Sequence, residues 1–212
     1  MKIAVMQPYF FPYPGYFELI ANADLFVILN DVQYTRGWIN RNRIKSNIDW
    51  MYITVPVCKH FQTDKITDIK ICNSWKYLIQ KQIKSFKHSY GTKLDLEFLD
   101  FYLSLSSYSF LYSLLKETIF WMCSKLGIKT NIIESSYYPS LFSGEERIIN
   151  LCLQLGATDY LNLPGGRSLY DIKNFSKYNI NLEFLPLTNK GNLSILDFYF
   201  NEKDNLLFHK WA

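Results

Sequence analysis

Residues 30–43 hold the densest set of groups able to do chemistry: Asp31, Gln33, Asn40, Arg41, Asn42 and Arg43, beside Tyr34 and Trp38. A guanidinium fork grips a phosphate through two hydrogen bonds, and aromatic rings stack on bases or sugars. The competing reading is a solvated turn, against which two large aromatics count. A second cluster is the loop at residues 7–15, with Gln7, Tyr9 and Gly15 among three prolines. It feeds a helix N-terminus, whose free N–H groups attract an anion, and Gly15 would let a ligand approach the backbone. The alternative is that the prolines only shape a tight connection. A third is Pro164-Gly165-Gly166-Arg167-Ser168, either a backbone contact to a ligand or a sharp turn.

His60 sits between two apolar segments and titrates near neutrality, which makes it a candidate general base; a lone loop histidine is as readily just exposed. His88 and His209 carry no role. GxSxG, the P-loop lysine motif, HExxH and DxD are all absent. Cys58, Cys72, Cys123 and Cys152 form no CxxC pair, and no histidine completes a zinc pattern, so they read as reduced, mostly buried thiols. No pattern indicates a metal or a tightly bound cofactor.

Hydrophobic periodicity supplies the elements that position these groups. Lys2–Met6 reads as a buried strand, residues 16–23 as a helix and residues 25–29 as a second strand, a βαβ unit with a parallel pair. Residues 49–57 and 65–71 read as further strands, and residues 30–43 as a loop. Residues 74–90 and 94–126 read as helices, the latter broken near residues 104–109 and stopped by Gly127. Residues 128–134, 159–163 and 180–185 read as strands alternating with helices at 145–155 and 170–177. That is half of a doubly wound sheet. The expectation is one α/β domain over residues 1–212, with a Rossmann-like, mostly parallel sheet flanked by helices and a helical insertion at about 74–126. In such a sheet ligands lie beyond the carboxyl ends of the strands, where all three loops fall.

The bulk composition agrees. With 49% apolar residues among 212, a sizeable core forms. The 16 Tyr and 16 Phe suit a lined cleft or an interface, or follow from an AT-rich coding bias. A formal charge of +4, with no block of like charges and no basic stripe along the chain, speaks against nucleic acid as partner. The start of the chain is too short and polar an apolar run for a secretory leader, and no stretch reaches the length of a membrane span. The expected location is the cytoplasm. Nothing in the sequence excludes a homo-oligomer.

Taken in order, Met6-Gln7-Pro8-Tyr9-Phe10-Phe11-Pro12-Tyr13-Pro14-Gly15-Tyr16-Phe17, Asp31-Val32-Gln33-Tyr34 and Trp38-Ile39-Asn40-Arg41-Asn42-Arg43 resemble the WbqC-like protein family. Ile53-Thr54-Val55-Pro56-Val57, Lys65-Ile66, Leu126-Gly127-Ile128, Arg147, Gly156-Ala157, Tyr160, Pro164-Gly165-Gly166, Tyr170 and Leu193-Ser194-Ile195-Leu196-Asp197 extend the likeness over nearly the whole chain. It departs at Met6, where members often carry His, and at residues 188–192, which are shorter and different. A weaker likeness, to nucleotidyltransferases with a HIGH-type motif, concerns fold alone, since Pro14-Gly15-Tyr16-Phe17 replace the paired histidines.

The family resemblance implies a cytoplasmic enzyme of bacterial surface-polysaccharide (O-antigen, lipopolysaccharide) biosynthesis acting on a nucleotide-linked sugar. The leading expectation is transfer of an acyl or aminoacyl group, from an unidentified donor, to the amine of a dTDP- or UDP-linked amino sugar. Arg41 and Arg43 would hold the diphosphate. Tyr9, Tyr34 and Trp38 would stack on base or sugar; Gln7, Asp31, Gln33 and Asn40 would orient the sugar; and His60 or Asp31 would take the amine proton. Asn42, Gly15, Gly165 and Gly166 complete the candidate binding set. The alternatives are a non-catalytic scaffold of the polysaccharide machinery, an adenylate-forming ligase that uses ATP, and a glycosyltransferase, against whose metal-dependent kind the missing DxD argues.

Overall fold

A computed structural model describes residues 1–188 and 191–202. The chain order is β1 (Lys2–Met6), α1 (Pro14–Ala21), β2 (Leu25–Ile28), β3 (Arg41–Lys45), β4 (Trp50–Thr54), α2 (Trp75–Tyr90), α3 (Leu96–Ser104) and α4 (Leu111–Lys125). It continues with β5 (Asn131–Glu134), α5 (Gly144–Leu155), β6 (Asp159–Asn162), α6 (Ile172–Ser176), β7 (Asn181–Phe184) and α7 (Ile195–Glu202).

Five strands form a parallel sheet in the order β5-β2-β1-β6-β7, with Ile3 opposite Leu25 on one side and Tyr160 on the other. The order reverses between β1 and β6. This is the α/β architecture expected from the alternating pattern, with helices on both faces as parallel strands require.

Strand alternation sorts the core into two layers. Ile3, Val5, Leu25, Val27, Tyr160 and Leu182 face α5 and α6, through Ile148, Leu151, Cys152 and Phe175. Ala4, Phe26, Ile28 and Leu161 face the other way, into a larger aromatic core. There α1 packs with α2–α4 and α7, and Phe10, Phe11, Trp75, Phe86, Phe98 and Tyr102 are buried together. Helices α2–α4 lie in the long excursion between β2 and β5, broken at residues 105–107 as the serines there suggest.

Two segments differ from the sequence reading. Residues 65–71 are not a strand. Ile66 and Ile69 are buried at a spacing of three, and the Lys65 and Asp68 backbones close a 3-10 turn at 3.0 Å. Isolated bridges remain from that pattern, Gln33 with Lys65, Val57 with Ile71 and Lys70 with Phe110. Residues 41–43, read as the end of a loop, open β3, which pairs antiparallel with β4 from Arg41–Thr54 to Lys45–Trp50. Ile44 is buried on one side of this hairpin, with Arg43 and Lys45 alternating to the other.

Candidate active site

The pairing of β1 with β6 ends at Ala4–Leu161, before either strand does, and a crevice with two lobes lies at this point, where the strand order reverses. One lobe, of about 520 Å³, is lined by Gln7, Tyr9, Tyr13, Trp38, Asn162, Gly165, Gly166 and Tyr170. The other, of about 590 Å³, is lined by Gln7, Asp31, Gln33, Lys65, Ser143, Glu145, Arg147 and Tyr170. Gln7 and Tyr170 belong to both.

The aromatic lobe is shaped by the proline-rich loop after β1. The Phe10 N–H donates to the Ile39 carbonyl at 2.9 Å. Phe11 holds a left-handed φ of +41°, and its carbonyl accepts from Asn42 Nδ2 at 2.6 Å and Ser194 Oγ at 2.9 Å. Two side chains from distant segments thus fix a conformation that a phenylalanine alone avoids. The Tyr9 ring stands edge-on to Tyr16 (5.5 Å) and Trp38 (5.2 Å), and the Tyr13 N–H donates to the Tyr9 hydroxyl at 3.3 Å. Burial, helped by the Glu18 carboxylate, pushes the Tyr13 hydroxyl up to about 12, so it stays a neutral donor at physiological pH.

The polar lobe is organised by an ion pair. Arg147, from the first turns of α5, donates through Nη2 to Asp31 Oδ2 and to the Ser135 carbonyl, both at 3.1 Å, and through Nη1 to the Tyr138 carbonyl at 2.7 Å. The Ser135 hydroxyl donates to Asp31 Oδ1 and stands 3.1 Å from Asn30 Oδ1. Asn30 Nδ2 donates to Glu134 Oε2 at 2.8 Å, and Lys116 closes on Glu134 Oε1 at 2.9 Å. This buried network ties the ends of β2 and β5 together and aims Asp31 at the lobe, where its side chain keeps 21% exposure. Gln33 Nε2 donates to the Gln62 carbonyl at 2.5 Å, which fixes the rim that carries Lys65.

Of the residues singled out from sequence, Gln7, Tyr9, Asp31, Gln33, Trp38, Gly165 and Gly166 line the crevice. Tyr34 and Asn40 are buried and line neither lobe: the Tyr34 hydroxyl donates to Asn40 Oδ1 at 2.9 Å, and Asn40 Nδ2 donates to the Val55 carbonyl at 2.8 Å. Asn42 braces Phe11. A Cβ on Gly15 would fall 2.6 Å from the Tyr13 ring and 2.8 Å from Leu187, so packing against those side chains takes up its space. Arg41 and Arg43 lie on the outer face of the hairpin, stacked on Tyr52 and Trp50. His60 packs edge-on against Tyr34 at 4.9 Å and lines neither lobe. His88 stands 2.6 Å from Asn47 Nδ2 on an exposed face, and His209 lies outside the described residues.

Arg147, Lys65, Tyr13, Asn162 and Tyr170 enter the site without having been singled out for it. Arg147 had a legible signal: it is the one cation of its helix, and it lies about 40° from Leu151 in helical projection, at the edge of the apolar face. Among the described residues, no cluster of three or more His, Cys, Asp or Glu is placed to hold a metal ion, and no helix is long and apolar enough to cross a membrane.

Comparison with known proteins gives two matches. The model of the WbqC-like protein family matches residues 7–207. The uncharacterized protein Rv1507c of Mycobacterium tuberculosis (strain ATCC 25618 / H37Rv) is 34% identical over 184 residues, 84% of this chain and 79% of that protein. No solved structure matches.

Proposed function

This chain belongs to the WbqC-like protein family, and from that premise we propose that it is a cytoplasmic enzyme of surface-polysaccharide biosynthesis. In this reading it transfers an acyl or aminoacyl group to the amine of a nucleotide-linked amino sugar, with dTDP or UDP as the nucleotide. The observation that carries the reading is the pairing of the two lobes: one aromatic, the other holding charges of both signs, joined at Gln7 and Tyr170. A nucleotide-linked amino sugar has the same division, a flat base at one end and an amine at the other with a diphosphate between.

Tyr9, Trp38 and Tyr170 offer rings to the base, and the Gly165-Gly166 backbone offers close approach. Lys65 supplies a mobile cation for phosphate. Asp31, held by Arg147 and Ser135, receives the amine and takes its proton as the carbonyl carbon is attacked. Gln7 and Gln33 orient the sugar. His60 has no part in this reading.

The test is a thermal-shift panel of dTDP- and UDP-amino sugars, plain dTDP and ATP. A ligand at a hundredfold excess over its Kd raises stability by about 2.7 kcal/mol. A rise specific to an amino sugar, lost in Tyr170→Ala, is expected; a rise with ATP alone would replace the reading with adenylate chemistry. A scaffold is the second reading, favoured by the exposed apolar side chains of Leu141, Phe142, Leu169, Ile172 and Tyr178 around α5 and α6. Silence across the panel, with a partner protein retained on purification, is its signature.

A further inference from the structure

The outer face of the β3–β4 hairpin carries a ladder in which cations and rings interleave. Arg43 is directly opposite Tyr52, and Lys45 opposite Trp50. The Arg41 guanidinium lies 4.2 Å from the centre of the Tyr52 ring and that of Arg43 5.1 Å from the Trp50 ring. Each cation leans onto the ring one step diagonal to it, so the order along the face is Arg41, Tyr52, Arg43, Trp50. Both rings remain well exposed, Trp50 at 39% and Tyr52 at 45%. The ladder is continuous with the crevice: Arg41 Nε donates to the Gly37 carbonyl, and the next residue, Trp38, lines the aromatic lobe.

We propose that this ladder is a second binding site, for the phosphorylated nucleoside end of the acyl donor, whose long thioester arm reaches past Trp38 into the crevice. The proposal rests on the acyl-transfer reading above and names the class of donor that reading leaves open. Three features select this occupant. The three cations call for several negative charges, and guanidiniums held over rings are preorganised for phosphate. The exposed rings suit a base. The length from Arg41 to Lys45 is about 13 Å at the usual rise of a strand, and Asp49 places a negative charge at the far end. That span fits one nucleotide with extra phosphates, whereas a nucleic-acid strand would need the cationic track to continue. Arg43 Nη2 also donates to the Asn192 carbonyl at 3.2 Å, which leaves its other donors for the ligand.

The chemistry balances without a further reactant. The neutral amine attacks the thioester carbonyl, a C–N bond forms and the C–S bond breaks. The electron pair leaves on sulfur, and the amine proton passes through Asp31 to the departing thiolate.

The experiment is titration of the purified protein with coenzyme A and with adenosine 3′,5′-diphosphate, read by tryptophan fluorescence and by calorimetry. Both are expected to bind, with quenching from Trp50. Arg41→Ala/Arg43→Ala is expected to weaken them at least about tenfold, a loss of about 1.4 kcal/mol, with Arg41→Lys/Arg43→Lys intermediate. Nucleotide-sugar binding should persist in both variants, which also shows that they fold. No binding of either probe, or equal binding by the Ala variant, overturns the ladder site. Tighter and salt-sensitive binding of a single-stranded RNA oligomer overturns it in favour of nucleic acid. If coenzyme A binds at the ladder but no nucleotide sugar binds at all, the acyl-transfer reading falls and the ladder stands; the converse result leaves that reading standing without the ladder.

Discussion

Arg147 Nη2 and Asp31 Oδ2 meet at 3.1 Å across 116 residues of chain, and the pair joins the first turns of α5 to the end of β2 on the wall of the crevice. The arginine side chain is 6% exposed and the aspartate 21%, so the cation is desolvated and depends on its partners. Removing one member of a fully buried pair costs about 3–5 kcal/mol; the access of water to Asp31 lowers the figure expected for Arg147→Met to about 1–3 kcal/mol. Asp31→Asn keeps the shape and a weaker acceptor, so it should lower stability less while abolishing acyl transfer. Chemical denaturation of both variants beside a turnover assay checks this. Equal activity in Asp31→Asn and wild type would remove Asp31 from the mechanism.

Asn40 separates a scaffold role from a ligand role. Its amide bridges the Tyr34 hydroxyl and the Val55 carbonyl in a buried position. Asn40→Ala leaves both partners without a hydrogen bond away from water, and the expected loss is about 1–3 kcal/mol. Ligand affinity, measured at a temperature where the variant is still folded, should be unchanged. A fall in affinity at full folding would place Asn40 in the site instead.

These two residues show what is readable before folding. The parallel sheet follows from alternation of apolar runs with helical periods, and the crevice from the rule that ligands gather past strand ends, which singles out Gln7, Asp31, Gly165 and Gly166. Burial is harder. The run Asn40-Arg41-Asn42-Arg43 looks uniformly polar, yet from Arg41 on it is a strand: the asparagines turn inward to brace Tyr34 and Phe11, and the arginines turn outward. Which residues of a polar run face the core depends on the pairing partner β4, and nothing local reveals that register. The same holds for the cation–ring ladder. It reads across two strands, so no stripe of basic and aromatic residues exists along the chain.

The Asp197 carboxyl should leave a mark on acid stability. Burial raises its pKa above the ordinary 3.8, and contacts with Lys45, Tyr90 and Lys93 only partly offset this. An acid whose folded pKa is raised binds its proton more tightly when folded. Its contribution is therefore greatest below 3.8 and is lost as pH climbs from 3.8 through the raised value. Asp197→Asn removes this descending component, so stability in the variant minus that in wild type should increase over that window. A flat difference would mean the carboxyl is solvated in the folded protein.

The thiols should fall into two classes. Cys123 and Cys152 are buried, and burial pushes both up to about 12, so neither reacts in the native state at pH 8. Cys58 and Cys72 are half-buried, on backbones joined by Cys58 N–H to Lys70 carbonyl and Cys72 N–H to Pro56 carbonyl bonds of 2.9 Å. Burial, together with the neighbouring Cys58 thiol, raises that of Cys72. A disulfide reagent such as DTNB should therefore modify Cys58 first, after which Cys72 displaces the adduct. Mass spectrometry is expected to find an internal Cys58–Cys72 bond and no retained adduct, with the other two thiols reacting only in guanidinium. A stable adduct on Cys58 would show that the two sulfurs do not reach each other.

Gly165 and Gly166 are adjacent, yet substitution should separate them. A Cβ at Gly166 would lie 2.7 Å from Asn162 Nδ2 and 3.2 Å from its Cγ. Asn162 is itself buried, with Oδ1 accepting from the Leu163 N–H at 2.7 Å, so it cannot swing away without losing that bond. Gly166→Ala is expected to destabilise the fold by about 1–3 kcal/mol. A Cβ at Gly165 meets no atom within 4 Å and would project beside the aromatic lobe. Gly165→Leu should therefore unfold within about 0.5 kcal/mol of wild type, while nucleotide binding is lost because the side chain fills the lobe. Thermal unfolding with and without a nucleotide sugar reads both effects in one experiment. Ligand-induced stabilisation that survives in Gly165→Leu would move the nucleotide out of the aromatic lobe.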